Sequence, residues 1–141
     1  MTPEQVKLVQ QSFAQVAPIA DTAATLFYER LFVIAPEVKP LFRGDMAQQR
    51  NTLMATLAAV VAGLGNIESI LPVASALARR HVDYGVKPEH YKQVGAALIW
   101  TLERGLGESW SSDLASAWSA AYGTLSRYMI DEAYGRAQAA E

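Results

Sequence analysis

The chain of 141 residues contains no cysteine and only two histidines. Without thiols there are no disulfides, no thiolate metal sites and no cysteine nucleophiles. Charge is sparse at 18% of residues and nearly balanced, for a net charge of −2. No basic footprint therefore suggests nucleic acid or an anionic membrane surface as a partner. Long hydrophobic runs are missing as well. The longest, Leu57 to Leu64 and broken at Gly63, falls far short of the roughly 20 residues that cross a bilayer. Met1 to Gln5 shows no basic segment leading into an apolar one, so no signal peptide is expected and the location read from the sequence is cytoplasmic. Catalytic signatures are equally scarce, with no G-x-S-x-G, no H-E-x-x-H and no phosphate-cradling glycine loop. Gly63-Leu64-Gly65 follows a helical pattern rather than a strand and reads as a helix stop.

What is present is apolar. Hydrophobic residues make up 51% of the chain, including 3 Trp, 6 Tyr and 4 Phe, enough for one sizeable core in a single domain, 1–141. The periodicity is helical nearly throughout. Thr2-Pro3-Glu4-Gln5 has the form of a capping box with proline at the first helical position, and Val6, Val9, Phe13 and Val16 follow at helical spacing up to Pro18. A second helix carries Ala23, Leu26, Phe27, Leu31 and Ile34, and stops before Pro36. Pro36 to Phe42 is a short turn-like piece, and Arg43-Gly44-Asp45 is a loop. A helix from about Met46 to Leu64 aligns Leu53, Leu57, Val60, Val61 and Leu64, ending at Gly65-Asn66. The next helix ends near Tyr84-Gly85. Pro88 opens another, with Tyr91, Val94, Ala97, Leu98, Thr101 and Leu102, ended by Gly105 and Gly107. Ser111-Ser112-Asp113 caps a last long helix through Trp118, Tyr122, Leu125 and Met129. No stretch alternates with period two. The tail Ala137 to Glu141 is expected to fray. The expected architecture is all-α, with about seven helices of unequal length.

His81 sits four residues after Leu77, on a stripe with Ile70, Val73 and Ala74. Such an imidazole is either a core histidine bonded to a carbonyl or a ligand to a metal or cofactor. Zinc would need further ligands. His90 lies nine residues away across a turn, and Asp83 and Glu89 have the character of surface residues. A single imidazole does suit haem, whose pocket needs one fixed ligand and a wide apolar lining. Leu53, Leu57, Leu77, Val86, Val94 and Leu98 could supply that lining, or fill an ordinary core.

Five segments carry a resemblance. Pro36-Glu37-Val38-Lys39-Pro40-Leu41-Phe42 resembles the short third helix and its phenylalanine in the globins. Tyr28 stands eight residues before Pro36, where globins place the distal residue of the second helix. Gln49-Arg50-Asn51-Thr52-Leu53 resembles the distal glutamine, followed four residues later by leucine, of bacterial globins. His81 to Tyr91 resembles the proximal histidine region of flavohaemoglobins and single-domain bacterial haemoglobins. Ala117-Trp118-Ser119-Ala120-Ala121-Tyr122-Gly123 matches their last helix. The segments span the chain in order and spacing. The resemblance implies a globin fold, a three-over-three helical sandwich enclosing haem b.

It also implies roles. His81 is the expected proximal iron ligand, its other ring nitrogen donating to a backbone carbonyl, most simply that of Leu77. Phe42 is expected against the porphyrin face, and Arg80 at a haem propionate. Tyr28 and Gln49, with Leu53 beside them, are expected to face the gas-binding side. There their donors would hold dioxygen, which draws negative charge when bound; a well-placed bond of this kind contributes roughly 1–3 kcal/mol. Two departures stand out. Flavohaemoglobins continue into flavin and nicotinamide domains, whereas this sequence stops at Glu141, so an external reductase is expected. Those globins also carry a last-helix glutamate that bonds the proximal histidine. Here that position is Ala133, with Glu132 turned about 100° away. Tyr91, the other member of that network, is present. These departures resemble the neuroglobin-like single-domain haemoglobins of bacteria.

The expected function is reversible binding of dioxygen, nitric oxide and carbon monoxide, supporting nitric oxide dioxygenation; the alternative is non-enzymatic oxygen storage or delivery. A haem-free signalling module usually loses the proximal histidine, and a gas sensor would need an output domain. The expected assembly is a monomer or weak homodimer.

Overall fold

The computed structural model describes residues 1–42 and 44–135. Six α-helices follow one another: α1 (Pro3–Val16), α2 (Ala20–Ile34), α3 (Met46–Gly63), α4 (Ile67–Asp83), α5 (Pro88–Leu106) and α6 (Ser112–Ile130). A 3₁₀ segment, Pro36–Leu41, takes the place of a seventh helix. Its two prolines each remove a backbone donor, which explains why it never lengthens into a regular helix. Among the described residues there is no strand. The tail Ala137 to Glu141 and Arg43 lie outside the described residues.

The helix ends follow local chemistry. The Thr2 hydroxyl accepts from the Gln5 amide while the Gln5 side chain accepts from the Thr2 amide, both at 3.1 Å. Asp45 accepts from Ala47 at 2.9 Å and Ser111 from Leu114 at 3.2 Å, opening α3 and α6. Gly105, expected as a stop, instead lies within α5, and the helix ends at Gly107 with φ 53°. Helical dihedrals cost glycine only about 1 kcal/mol against alanine, whereas the left-handed conformation at Gly107 strongly favours it.

The main pairings are α2 with α5 and α1 with α6. Gly95 allows a close α5–α6 approach: a Cβ there would lie 2.6 Å from the Tyr122 ring. The Trp118 indole donates to Ser12 at 2.9 Å, and the Ser12 hydroxyl donates to the Leu8 carbonyl at 2.8 Å, so a buried polar pair ties α6 to α1. Gln10 donates to the Val61 carbonyl and ties α1 to α3.

Two apolar clusters result. The larger gathers Val9, Phe13, Leu31, Phe27, Leu98 and Trp118 with other residues of α1, α2, α3, α5 and α6. The smaller has Ala74, Ala78, Tyr91 and Met129 at its centre and joins α4 to the starts of α5 and the end of α6. Leu125 packs against both. After α6 the chain widens into a π-helical turn, Asp131–Gly135.

The candidate haem site

α3 and α4 enclose a cleft of about 470 Å³. Ala55, Thr56 and Ala59 form one wall; Pro72, Val73, Ala76, Leu77 and Arg80 form the other. The expected stripe on α4 therefore divides. Ile70 and Ala74 turn into the core, while Val73, 43% exposed, turns into the cleft. The helix meets two environments at once, and spacing alone does not separate them.

His81 lies in the last turn of α4, half-buried. Its Nδ1 bonds the Leu77 carbonyl at 2.6 Å. This is the carbonyl expected from the sequence, and with Nδ1 as donor the other nitrogen, Nε2, is left as the acceptor. Among the described residues Nε2 has no hydrogen-bond partner. The backbone holds His81 from the other side: Val86 N–H donates to the His81 carbonyl at 2.9 Å, and Gly85 N–H to Val82 at 3.0 Å. These two bonds form a Schellman cap with Gly85, φ 89°, as the left-handed residue. The Tyr91 ring stacks on the imidazole, centroids 5.9 Å apart and planes at 26°. Burial pushes the His81 pKa down, against the Leu77 bond, which raises it; the Arg80 charge lowers it further. The ring is neutral at pH 7, the form a metal requires.

The second group forms on α2 and α3. Tyr28 is buried, 5% exposed, among Phe27, Phe32 and Phe42, with the Phe42 ring edge-on at 5.4 Å. Gln49 Nε2 donates to the Tyr28 hydroxyl oxygen at 3.1 Å. Burial raises the Tyr28 pKa and the Gln49 bond opposes this, leaving the phenol protonated. Its own proton has no acceptor among the described residues. The pair is thus asymmetric: Gln49 fixes the tyrosine oxygen, and the tyrosine O–H remains available.

The other expected residues fall into place by cluster. Phe42, Leu53, Leu57 and Val94 are half-buried against the larger cluster, and Leu77 and Val86 against the smaller one. Arg80 is exposed at the cleft wall. No hydrogen bond or ring contact joins the His81 group to the Tyr28 group among the described residues. His90 is a cap, not a ligand: its Nδ1 accepts from Lys87 N–H at 3.0 Å. Among the described residues no three His, Cys, Asp or Glu side chains gather into a metal cluster.

Around Tyr91 the surroundings are unusual. Among the described residues its buried hydroxyl has no partner, and burial, with the neighbouring Tyr134, pushes its pKa up to about 12. Ala133 packs into this cluster where a carboxylate was absent from the sequence. Glu132 is exposed and bonds Tyr128 and Ser75 instead. Tyr134, which the sequence did not single out, donates to the Val86 carbonyl. Only the π-helical turn brings it there, so no helical spacing would have revealed it. The small residues Ala55, Ala59 and Ala76 of the cleft were also missed, because alanine at helical spacing is common on any helix.

The site tests well against a large flat apolar group. One neutral imidazole presents an unpartnered Nε2. Five aliphatic side chains, Leu53, Leu57, Leu77, Val86 and Val94, are only half covered, and covering them would be favourable at roughly 25 cal/mol per Å².

Residues 25–129 match the family profile described as Globin. The chain belongs to the globin family. This globin is 32% identical over 133 residues to a flavohemoprotein of Bordetella parapertussis, covering 92% of this chain and 33% of that protein. A Bacillus subtilis flavohemoprotein is 28% identical, covering 89% of this chain and 32% of that protein. The chain therefore spans about a third of the length of these curated relatives. Among solved structures, a bacterial globin from Campylobacter jejuni superposes with a TM-score of 0.82 at 26% identity, covering 97% of this chain and 99% of that one. An engineered carbene transferase from Rhodothermus marinus shares the fold, with a TM-score of 0.86 at 24% identity, covering 100% and 99%. Family membership, with flavohemoproteins as relatives, implies haem binding, and globins bind gases such as dioxygen and nitric oxide. No described helix is long and apolar enough to cross a membrane.

Proposed function

We propose that this globin holds haem b through His81 Nε2 and binds diatomic gases beside Tyr28, in support of nitric oxide dioxygenation. The flavohemoprotein relatives support the haem reading. The observation that carries the gas-binding reading is the Tyr28–Gln49 bond at 3.1 Å, which spends the amide on the tyrosine oxygen and keeps the phenolic proton free. When bound, haem supplies a redox-active iron that takes up dioxygen, nitric oxide or carbon monoxide.

The chain's own residues then have separable tasks. The Leu77 carbonyl and the Schellman cap fix the imidazole plane and keep Nε2 unprotonated. Phe42 offers a ring to the flat face, and Arg80 a guanidinium to a propionate. Tyr28 donates to the gas ligand, and Gln49 positions Tyr28. Leu53, Leu57, Leu77, Val86 and Val94 exclude water, which strengthens the Tyr28 donor. Dioxygen, nitric oxide and one electron then balance to nitrate. An external reductase supplies the electron in this reading, and residues 1–141 act as one domain.

The test is the dioxygen off-rate of the haem-loaded protein. Tyr28→Phe is expected to release dioxygen about ten- to a hundredfold faster. Gln49→Leu is expected to have a smaller effect, since it acts through Tyr28. Unchanged rates in both variants would sink the assignment of this side. Nitrate formation with a reductase separates dioxygenation from oxygen storage, in which gas binds and leaves without turnover.

A further inference from the structure

α2 and α5 pack on each other, and at the seam between them two guanidiniums lie over one indole. The Arg104 guanidinium, one helical turn on from Trp100, sits 4.6 Å from the ring centroid. That of Arg30 reaches across from α2 to within 5.0 Å. Arg30 and Trp100 are half-buried and Arg104 is exposed. The ring attracts both cations and holds them in place. Among the described residues neither guanidinium forms an ion pair with a carboxylate.

The surroundings supply the opposite charge and apolar surface. Glu29 precedes Arg30 and Glu103 precedes Arg104, and both carboxylates are exposed. The seam therefore presents two cations and two anions, with no net charge. Val33, one turn on from Glu29, is 70% exposed, the most exposed large apolar side chain among the described residues. Ala96, one turn before Trp100, is exposed as well. None of these residues lines the α3–α4 cleft.

This composition selects the occupant. Tryptophan and arginine are the side chains that most often dominate binding at protein interfaces. A strongly acidic or basic partner gains little from a face of zero net charge. A second copy gains more, because a two-fold contact sets the same patch on both sides. A patch with equal numbers of both signs meets itself without net repulsion. Size agrees. Two helices, each about 10 Å across and the shorter about 22 Å long, offer roughly 450 Å² a side. That is near the total of about 1,000 Å² at which specific interfaces begin. We propose that the outer α2–α5 face is the contact between two copies of this chain, a weak two-fold homodimer centred on Trp100. Guanidiniums of one copy meet carboxylates of the other, and Val33 is covered. The contact leaves the cleft of each copy open, and it does not depend on the gas-binding reading.

Sedimentation equilibrium of the haem-loaded protein tests the contact. Monomers are expected at the lowest concentrations and dimers at the highest, with a dissociation constant of roughly 1–100 µM. Two double variants then probe the face. Val33→Glu with Arg104→Glu makes it acidic, and Glu29→Lys with Glu103→Lys makes it basic. All four positions are exposed, so the helical circular dichroism is expected to be unchanged. Each variant alone is expected to self-associate at least about tenfold more weakly. An equimolar mixture is expected to restore pairing as a dimer with one chain of each kind. A wild-type chain that stays monomeric at millimolar concentration would overturn the proposal. So would variants that dimerise as well as the wild type, or a mixture that does not pair. A chain that dimerises through this face but takes no haem would instead refute the haem reading and leave the interface standing.

Discussion

The two residue groups of the candidate haem site rest on different foundations. Tyr28 and Phe42 lean on the larger cluster, which already buries Leu31, Val9 and Val16 almost completely. His81 leans on a cluster whose buried members are Ala74, Ala78, Tyr91 and Met129, two of them alanines. The Tyr28 group is therefore set against a core whose centre is fully buried, with Leu53, Leu57 and Val94 half-covered at its rim. His81 is set in a core that leaves Val73 and Val82 of α4, and Tyr84 at its end, exposed. The difference teaches that haem would act on the protein unequally, covering the rim of an already buried core on the α2 side and supplying much of the core itself on the α4 side.

The largest expected effect tests this contrast directly. Leu31→Ala, at a fully buried site, is expected to cost about 2–5 kcal/mol in urea denaturation whether or not haem is present. Leu77→Ala is expected to cost about 1 kcal/mol in the haem-free protein, because Leu77 is only half-buried, and more once haem covers it. Equal costs in the haem-free protein would erase the distinction between the two groups.

A smaller effect sharpens it. Gly85 holds φ 89° at the end of α4, and a left-handed alanine costs about 1–2 kcal/mol. Gly85→Ala is expected to lower the melting temperature and to speed hydrogen exchange at residues 81–86, leaving α2 unchanged. Gly65→Ala, with no atom within 4 Å of the added Cβ, is the control and should leave residues 81–86 as they are. Faster exchange in α2 as well would show that the two groups are not separate.

The smallest effect concerns alkali. Burial raises the Tyr122 pKa, and the neighbouring Tyr91 raises it further. The unfolded chain loses this proton near the ordinary tyrosine value of about 10, before the folded chain does. Above that pH the folded state binds more protons than the unfolded one, so stability falls as pH rises toward the folded pKa. Tyr122→Phe is expected to flatten that fall in denaturation curves taken above pH 10. An unchanged slope would remove Tyr122 from the account.

Much of this was legible in the residues. Thr2, Pro36, Pro88 and Ser111 mark helix starts because each acts through its own backbone or its neighbours within three residues. His81 and Leu77 could be paired from spacing for the same reason, since a bond from a side chain to the carbonyl four residues earlier stays inside one helix. The fate of Val73 could not be read, because the face it shares with Ile70 is split by an approaching helix. Nor could Tyr134, which a departure from α-helical spacing carries to the Val86 carbonyl. Gly105 misled because a glycine marks a helix end only where the chain must turn left-handed.

By itself the sequence determined the helices and their caps, and singled out one imidazole and one phenol as candidates. Those are local properties, fixed by groups a few residues apart. Tertiary packing alone decided that the Gln49 amide is spent on Tyr28, that the Tyr91 hydroxyl is left without a partner among the described residues, and that α3 and α4 stand apart around a cleft. Each of these depends on how closely two helices distant in sequence approach, and that distance is set by the packing of the whole core.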